Sequence, residues 1–272
     1  FGGGGHSREI LSRMPENARL YGFDQDKDAE RNIMNDSRFT FVRSNFRYLK
    51  NWMRYYGEDG LDGILADLGV SSHHFDDETR GFSFRYDAAL DMRMNNRAGV
   101  TAAEILQTYS EEQLRRIFSL YGELKDAGRI ARKIVQYREQ QGNRLNTTED
   151  LLEGVLKGMV QKKDAARLFQ ALRIAVNDEM GEIRRALAAV PNLLAAHGKC
   201  ICVTFHSLED RIVKSAFRKN ENPCTCPSHF PVCVCGKKSK GHMVNKKAII
   251  ASEEELKINN EKLLFINKSF CL

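Results

Sequence analysis

Three short apolar runs, and a long break between the second and the third, most constrain what this chain can fold into. Arg19-Leu20-Tyr21-Gly22-Phe23-Asp24 and Leu61-Asp62-Gly63-Ile64-Leu65-Ala66-Asp67 each end on an acid, and Lys199-Cys200-Ile201-Cys202-Val203-Thr204-Phe205 runs into His206-Ser207. Between them, Phe39-Thr40-Phe41-Val42 is β-rich, while 25–35 and 46–56 have helical spacing. Strands alternating with helices predict βαβ units and a parallel sheet. From Thr101 to Val190 no strand pattern occurs. Helical segments follow one another instead, at 101–107, 111–121, 127–140, 148–157 and 167–190, with Thr147 and Asp150 spaced as a capping box. The expected architecture is therefore α/β, a sheet interrupted by an all-helical insertion and then completed. Its expected divisions are 1–95, 96–192 and 193–272, the last with a Cys- and Lys-rich loop at 220–247. Ser207 is placed to cap a helix over 207–219, followed by a short helix at 252–259 and a last strand at 263–266.

A chain of 272 residues is long enough to bury a core, and 42% hydrophobic with 29% charged residues excludes disordered and collagen-like classes. No apolar run approaches the ~20 residues of a membrane span. The best, Ala186 to Ala196, is broken by Pro191. No secretory signal is visible, so the seven cysteines are expected to be reduced thiols in the cytoplasm rather than a disulfide framework. The opening Phe1-Gly2-Gly3-Gly4-Gly5-His6 reads as the interior of something longer, and a further N-terminal segment is expected.

Four segments carry the chemistry. Gly2-x-Gly4-x-x-Ser7 approximates a glycine-rich strand-to-helix turn, where small residues let a cofactor touch backbone. Asp24 stands close to the offset of about 20 residues expected for an acid that accepts ribose hydroxyls, although a surface acid at a strand end reads the same. Asp67-Leu68-Gly69-Val70-Ser71-Ser72 leaves a strand on the edge where open parallel sheets bind ligands. Arg80-Gly81-Phe82-Ser83-Phe84 offers two rings and a cation that suit an extruded base, or that simply anchor a loop. Thr204-Phe205-His206-Ser207-Leu208-Glu209-Asp210-Arg211 places a histidine able to move a proton near neutral pH at the start of a helix. Its acids also suit a local helix-start network.

Taken together, Asp67–Ser72, Arg80–Phe84, Leu90-Asp91-Met92-Arg93-Met94, Phe169-Gln170-Ala171-Leu172-Arg173-Ile174-Ala175-Val176-Asn177 and 205–214 resemble the ribosomal RNA small subunit methyltransferase H family. The resemblance runs from about Phe1 to Lys214. It implies a class I, Rossmann-like S-adenosylmethionine-dependent methyltransferase with an inserted helical domain. The implied reaction methylates the exocyclic N4 of a cytidine in the decoding region of 16S rRNA. By the same resemblance, Gly4, Gly5, His6, Asp24, Phe46 and Asp67 fall on cofactor-contacting positions, and His74 stands where the family has Gln. A strand ending in an acid precedes the glycine loop in that family and is absent from this sequence. The family's Pro-Ala-Thr-Arg stretch reads Asp164-Ala165-Ala166-Arg167 here, and its Arg- and Ser-rich C-terminal motif is replaced by 259–272.

The amino-methyltransferase tetrapeptide Asp/Asn-Pro-Pro-Tyr/Phe is absent. The expected division of labour is Asp67 on the methionine end of the cofactor, with Ser71, Ser72, His206 and Asp210 positioning or deprotonating the amine. Phe82 or Phe84 would stack the base, beside Arg80. Other classes stay open: a nicotinamide-dependent oxidoreductase, a non-catalytic RNA-binding module, or methyl transfer to DNA or protein. Cys224-x-Cys226 and Cys233-x-Cys235 offer four thiolates for a structural Zn²⁺, or form a metal-free loop. The net charge of +6 is unevenly placed: from Arg211 to Lys247, nine Lys and Arg face only Glu221, leaving the remainder slightly acidic. Such a segment suits phosphate contacts, and so the expected partner is 16S rRNA or the small ribosomal subunit rather than a membrane. The oligomeric state is left open, a homodimer included.

Overall fold

A computed structural model describes residues 1–70, 77–97, 99–142, 144–245, 249 and 266–271. The chain divides into two compact units. One comprises 2–43 and 70–179, and the other 1, 44–69 and 180–272.

In the first unit, helix α1 (Gly5–Arg13) leads to two parallel strands, β1 (Leu20–Asp24) and β2 (Phe39–Arg43), with Gly22 opposite Phe41. The helix expected over 25–35 is only a 3₁₀ segment, Lys27–Asn32. Asp24 and Asp26 accept the backbone N–H groups of Asp26 and Asp28 at 2.9 and 3.0 Å, and such local turns compete with a regular helix.

Beyond a loop through 77–97, this unit carries the helices α3 (Ala102–Thr108), α4 (Glu111–Gly122), α5 (Ala127–Gln141) and α6 (Lys162–Asn177). Thr101 with Glu104 and Ser110 with Gln113 form reciprocal capping boxes, which end the first turn of α3 and α4 with satisfied donors. Leu114 and Phe118 of α4, Ile130 and Ile134 of α5, and Leu168 and Leu172 of α6 recur at helical spacing and meet in one core. The segment expected as a helix over 148–157 is instead a π-helical turn, Asp150–Val155, at whose start Thr147 and Asp150 cap each other as the sequence predicts. The single helix expected over 167–190 is two. Asp178 adopts a left-handed backbone, φ 47°, and ends α6 before α7 (Glu179–Ala189) begins.

The second unit holds helix α2 (Leu49–Tyr55) and a four-stranded sheet of order β3-β4-β6-β5. Strand β3 (Leu61–Asp67) lies parallel to β4 (Leu194–Thr204), with Ile64 opposite Cys200 and Asp67 opposite Val203. Strand β6 (Ile266–Cys271) runs antiparallel to β4, and the two-residue β5 (His242–Met243) pairs with β6. The last strand expected over 263–266 runs on to Cys271 within the described residues, placing Phe270, stacked 5.2 Å from Phe217, and Cys271 in the core, while 263–265 lie outside those described. The helix expected at 252–259 falls outside the described residues. Helix α8 (Ser207–Glu221) follows β4 directly. Among the described residues no helix is long and apolar enough to cross a membrane. Cys200 and Cys202 are fully buried and face each other at 4.0 Å. The contact with Cys200 and then desolvation push the Cys202 thiol well above its ordinary range. They are inert core thiols, as the alternation in their strand predicts.

Candidate active site

The glycine turn and the first strand-end acid come together within the first unit. Gly4 is buried and left-handed, φ 74°, which a residue with a side chain resists, and it caps α1. Gly2 N–H donates to Asp24 Oδ2 at 2.8 Å, tying the turn to the end of β1. A side chain at Gly3 or Gly5 would meet no atom within 4 Å, so the backbone of this turn is open to a ligand. His6 lies exposed in the first turn of α1.

Of the two readings of the Arg80–Phe84 segment, its contacts are those of a loop anchor. Arg80 Nη1 pairs with Asp26 Oδ2 at 2.8 Å, both side chains largely buried, and Nη2 donates to the carbonyls of Arg93 and Met94. Its guanidinium lies 5.2 Å from the centre of the Phe82 ring, and Phe82 is 3% exposed in the helical core. Both residues anchor the loop. Phe84 is half-buried, with its ring edge-on to Phe169 at 5.4 Å. Gly81 is required because a Cβ there would lie 2.3 Å from the Ala89 carbonyl, in a left-handed backbone of φ 68°. Asn177 closes the same assembly: its amide donates to Met92 O and accepts from Met94 N–H, each at 2.8 Å. Three of the sequence motifs thus form one clamp. Within it, desolvation acts to raise Asp91, but hydrogen bonds from Arg93 outweigh it and hold the carboxyl below its ordinary range.

In the second unit, Asp67 and His206 leave the carboxyl ends of the paired strands β3 and β4. Asp67 is exposed. His206 occupies the cap position of α8, and Ser207, expected to cap, is instead the first helical residue. Glu209 sits in the first turn of α8. Its fully buried carboxylate accepts the Phe205 N–H at 2.8 Å. The other oxygen of Glu209 lies 3.2 Å from His206 Nε2, within charge contact though not aligned as a hydrogen bond. His206 Nδ1 is buried and has no hydrogen-bond partner among the described residues. Asp210 N–H donates to His206 O at 3.2 Å. A side chain on Gly69, φ 86°, would meet Phe205 and Glu209 at 3.2 and 3.3 Å, so this turn needs glycine. Phe46 is half-buried in a 3₁₀ turn before α2. Ser71, Ser72 and His74 lie outside the described residues.

Glu209, Asp26 and Asn177 are the functional supports that residue spacing alone leaves unmarked. A buried acid at the third position of a helix and a D-x-D after a strand were the available signals.

The four clustered cysteines are brought together. Cys224, Cys226, Cys233 and Cys235 place their sulfurs within 4.8 Å of one another, with Cys224–Cys233 and Cys233–Cys235 at 3.4 Å and Cys226–Cys233 at 3.9 Å. Backbone N–H groups of Lys237 and Thr225 hold the Cys235 thiol down at about 6. For Cys233 the backbone N–H of Cys235 acts downward but is outweighed by the crowding thiols, which push it up to about 12.

A glycine turn bonded to a strand-end acid is how Rossmann-like α/β proteins receive an adenosine, and that is the class this fold and site define. The sequence pattern of the MraW methylase family matches residues 1–263, and the chain belongs to that family. Similar proteins include the ribosomal RNA small subunit methyltransferase H of Phocaeicola vulgatus, 52% identical over 263 residues that cover 95% of this chain and 84% of that one. Those of Bacteroides thetaiotaomicron, at 51% over 263 residues, and Porphyromonas gingivalis, at 52% over 265, each share the same coverage of 95% and 84%. The family is one of class I methyltransferases that use S-adenosylmethionine, which sets aside the nicotinamide oxidoreductase. The residues present fit that cofactor, since Asp24 is held at the edge of an open glycine turn.

Proposed function

We propose that this chain methylates the exocyclic N4 of a cytidine in 16S rRNA, at the decoding region of the small ribosomal subunit. The Gly2–Asp24 bond, in a chain of this family, is the observation that carries the reading, because it fixes an acid where an adenosine ribose is received. Bound S-adenosylmethionine supplies an electrophilic sulfonium methyl. Asp24 accepts the ribose hydroxyls, Gly4, Gly5 and His6 line the turn, and Asp67 holds the methionine ammonium, with Phe46 and His74 as further contacts.

The cytosine amine is a poor nucleophile, since its lone pair is delocalised into the ring. As its nitrogen bonds to the methyl carbon and the carbon–sulfur bond breaks, a proton must leave. His206 is placed to take it at Nδ1, which has no hydrogen-bond partner among the described residues, while the Glu209 carboxylate in charge contact with Nε2 favours the imidazolium that forms. Asp210, Ser71 and Ser72 orient the amine, and Phe84 is the ring left to meet the base. In this reading residues 96–192 are a helical insertion within the methyltransferase domain. The basic segment from Arg211 to Lys247 contacts rRNA phosphates in the cytoplasm.

The test is methyl transfer from labelled S-adenosylmethionine to small-subunit particles, followed by nucleoside analysis. N4-methylcytidine is the expected product, and label in any other nucleoside, or none, overturns the assignment. Asp24→Ala should weaken cofactor binding about 100-fold, since hydrogen bonds to a charged group contribute about 1.5–3 kcal/mol each. Calorimetric titration of the cofactor reads this directly, and kcat at saturating cofactor should change little.

A further inference from the structure

The loop between α8 and β5 has no reason of its own to fold. Residues 222–241 form neither helix nor strand, and their larger apolar side chains are turned out: Val232 and Val234 are 70% and 72% exposed. A segment without a core gains little to offset the conformational entropy of ordering it. Yet four sulfurs from two ends of this loop converge within 4.8 Å. We propose that Cys224, Cys226, Cys233 and Cys235 together bind one Zn²⁺, a structural tetrathiolate site that folds this loop.

The geometry suits the ion. Zn–S bonds of about 2.3 Å set the edge of a tetrahedron of sulfurs at about 3.8 Å. Three of the six separations, 3.4, 3.4 and 3.9 Å, bracket that edge, and all six lie within 4.8 Å. All four cysteines are free thiols. Val234 N–H points at Cys226 Sγ, 3.4 Å away, the kind of donor that steadies a metal-bound thiolate. A left-handed Gly236, φ 65°, turns the chain away just after the last ligand. Four thiolates around a dication carry two negative charges, and Lys237, Lys238 and Lys240 follow immediately, with Lys237 Nζ bonded to Thr225 Oγ1 at 3.0 Å. Soft sulfur ligands with no nitrogen or carboxylate among them select zinc over magnesium or calcium, and four protein ligands leave no open position for catalysis.

The full chain, purified without chelator, should carry about one equivalent of zinc by elemental analysis, as a closed four-ligand site requires. A Cys226→Ser/Cys233→Ser double variant should lose it. Because that variant risks unfolding the loop, the unmodified chain should also be stripped and reloaded with Co²⁺. The intense visible bands of tetrahedral cobalt thiolate are then expected, and weak octahedral bands would overturn the site. Less than about half an equivalent of zinc after dialysis against excess metal, or iron in its place, sinks the proposal. So does recovery of fewer than the seven thiols of the sequence under denaturing, chelating, non-reducing conditions, since that result means disulfides. None of these readings uses methyl transfer, so they stand or fall independently of the catalytic assignment.

Discussion

His206→Ala is expected to lower kcat by about 10²- to 10⁴-fold, the usual contribution of a positioned general base, with cofactor affinity nearly unchanged. The expectation rests on two sides of one ring. Nδ1 is buried with no hydrogen-bond partner among the described residues, and Nε2 faces the fully buried Glu209 carboxylate. Single-turnover methylation at saturating cofactor, together with a separate cofactor titration, distinguishes loss of chemistry from loss of binding. Normal turnover in the variant would remove His206 from the mechanism. Glu209→Gln is a sharper companion. It keeps the shape that receives the Phe205 N–H but removes the charge beside Nε2, so a fall in kcat without a fall in thermal stability is expected.

Arg80→Ala should act on stability rather than on RNA. Removing one partner of a buried ion pair leaves the other charge unpaired and costs about 3–5 kcal/mol. At about 2–4 °C per kcal/mol this is a Tm loss of about 10 °C. The Arg80 and Asp26 side chains are 16% and 9% exposed, and the arginine also holds two carbonyls of the 93–94 segment. Asp26→Ala should give a loss of similar size, and the double variant less than the sum of the two, because the pair acts as a unit. Asp26 lies two residues beyond Asp24 and accepts from Asp28 N–H, so weaker cofactor binding is expected alongside the loss of stability. A variant that kept its Tm and lost only RNA affinity would return Arg80 to the substrate.

The strand ends and the glycine turn were legible because their signals are local. A short apolar run closing on Asp24 or Asp67 needs no distant partner to be recognised, and neither does the capping pair Thr147 and Asp150. The break at Asp178 was not legible, since nothing short-range forbids a helix from running through Asp178 and Glu179. Nor was the length of β4, whose first residues pair with β3 across a register shift between Leu61 and Gly63.

The same physical division separates what the sequence determined by itself from what only the tertiary structure decided. Residue order alone set the α/β class, the helical interruption, the acids at the strand ends and the family to which these motifs belong, because each depends on periodicity or on a contiguous motif. What Arg80, Phe82 and Glu209 do depended on residues distant in the chain or across a helix start. An arginine beside two phenylalanines has the same composition whether it grips a base or a buried aspartate. Only the approach of Asp26, 54 positions earlier, and the closing of the helical core over Phe82 decided between them. Four cysteines in two pairs are likewise compatible with a loose loop until the fold draws their sulfurs to within 4.8 Å. Burial and long-range pairing are properties of the packed chain, and there the choice between anchoring a loop and meeting a ligand was made.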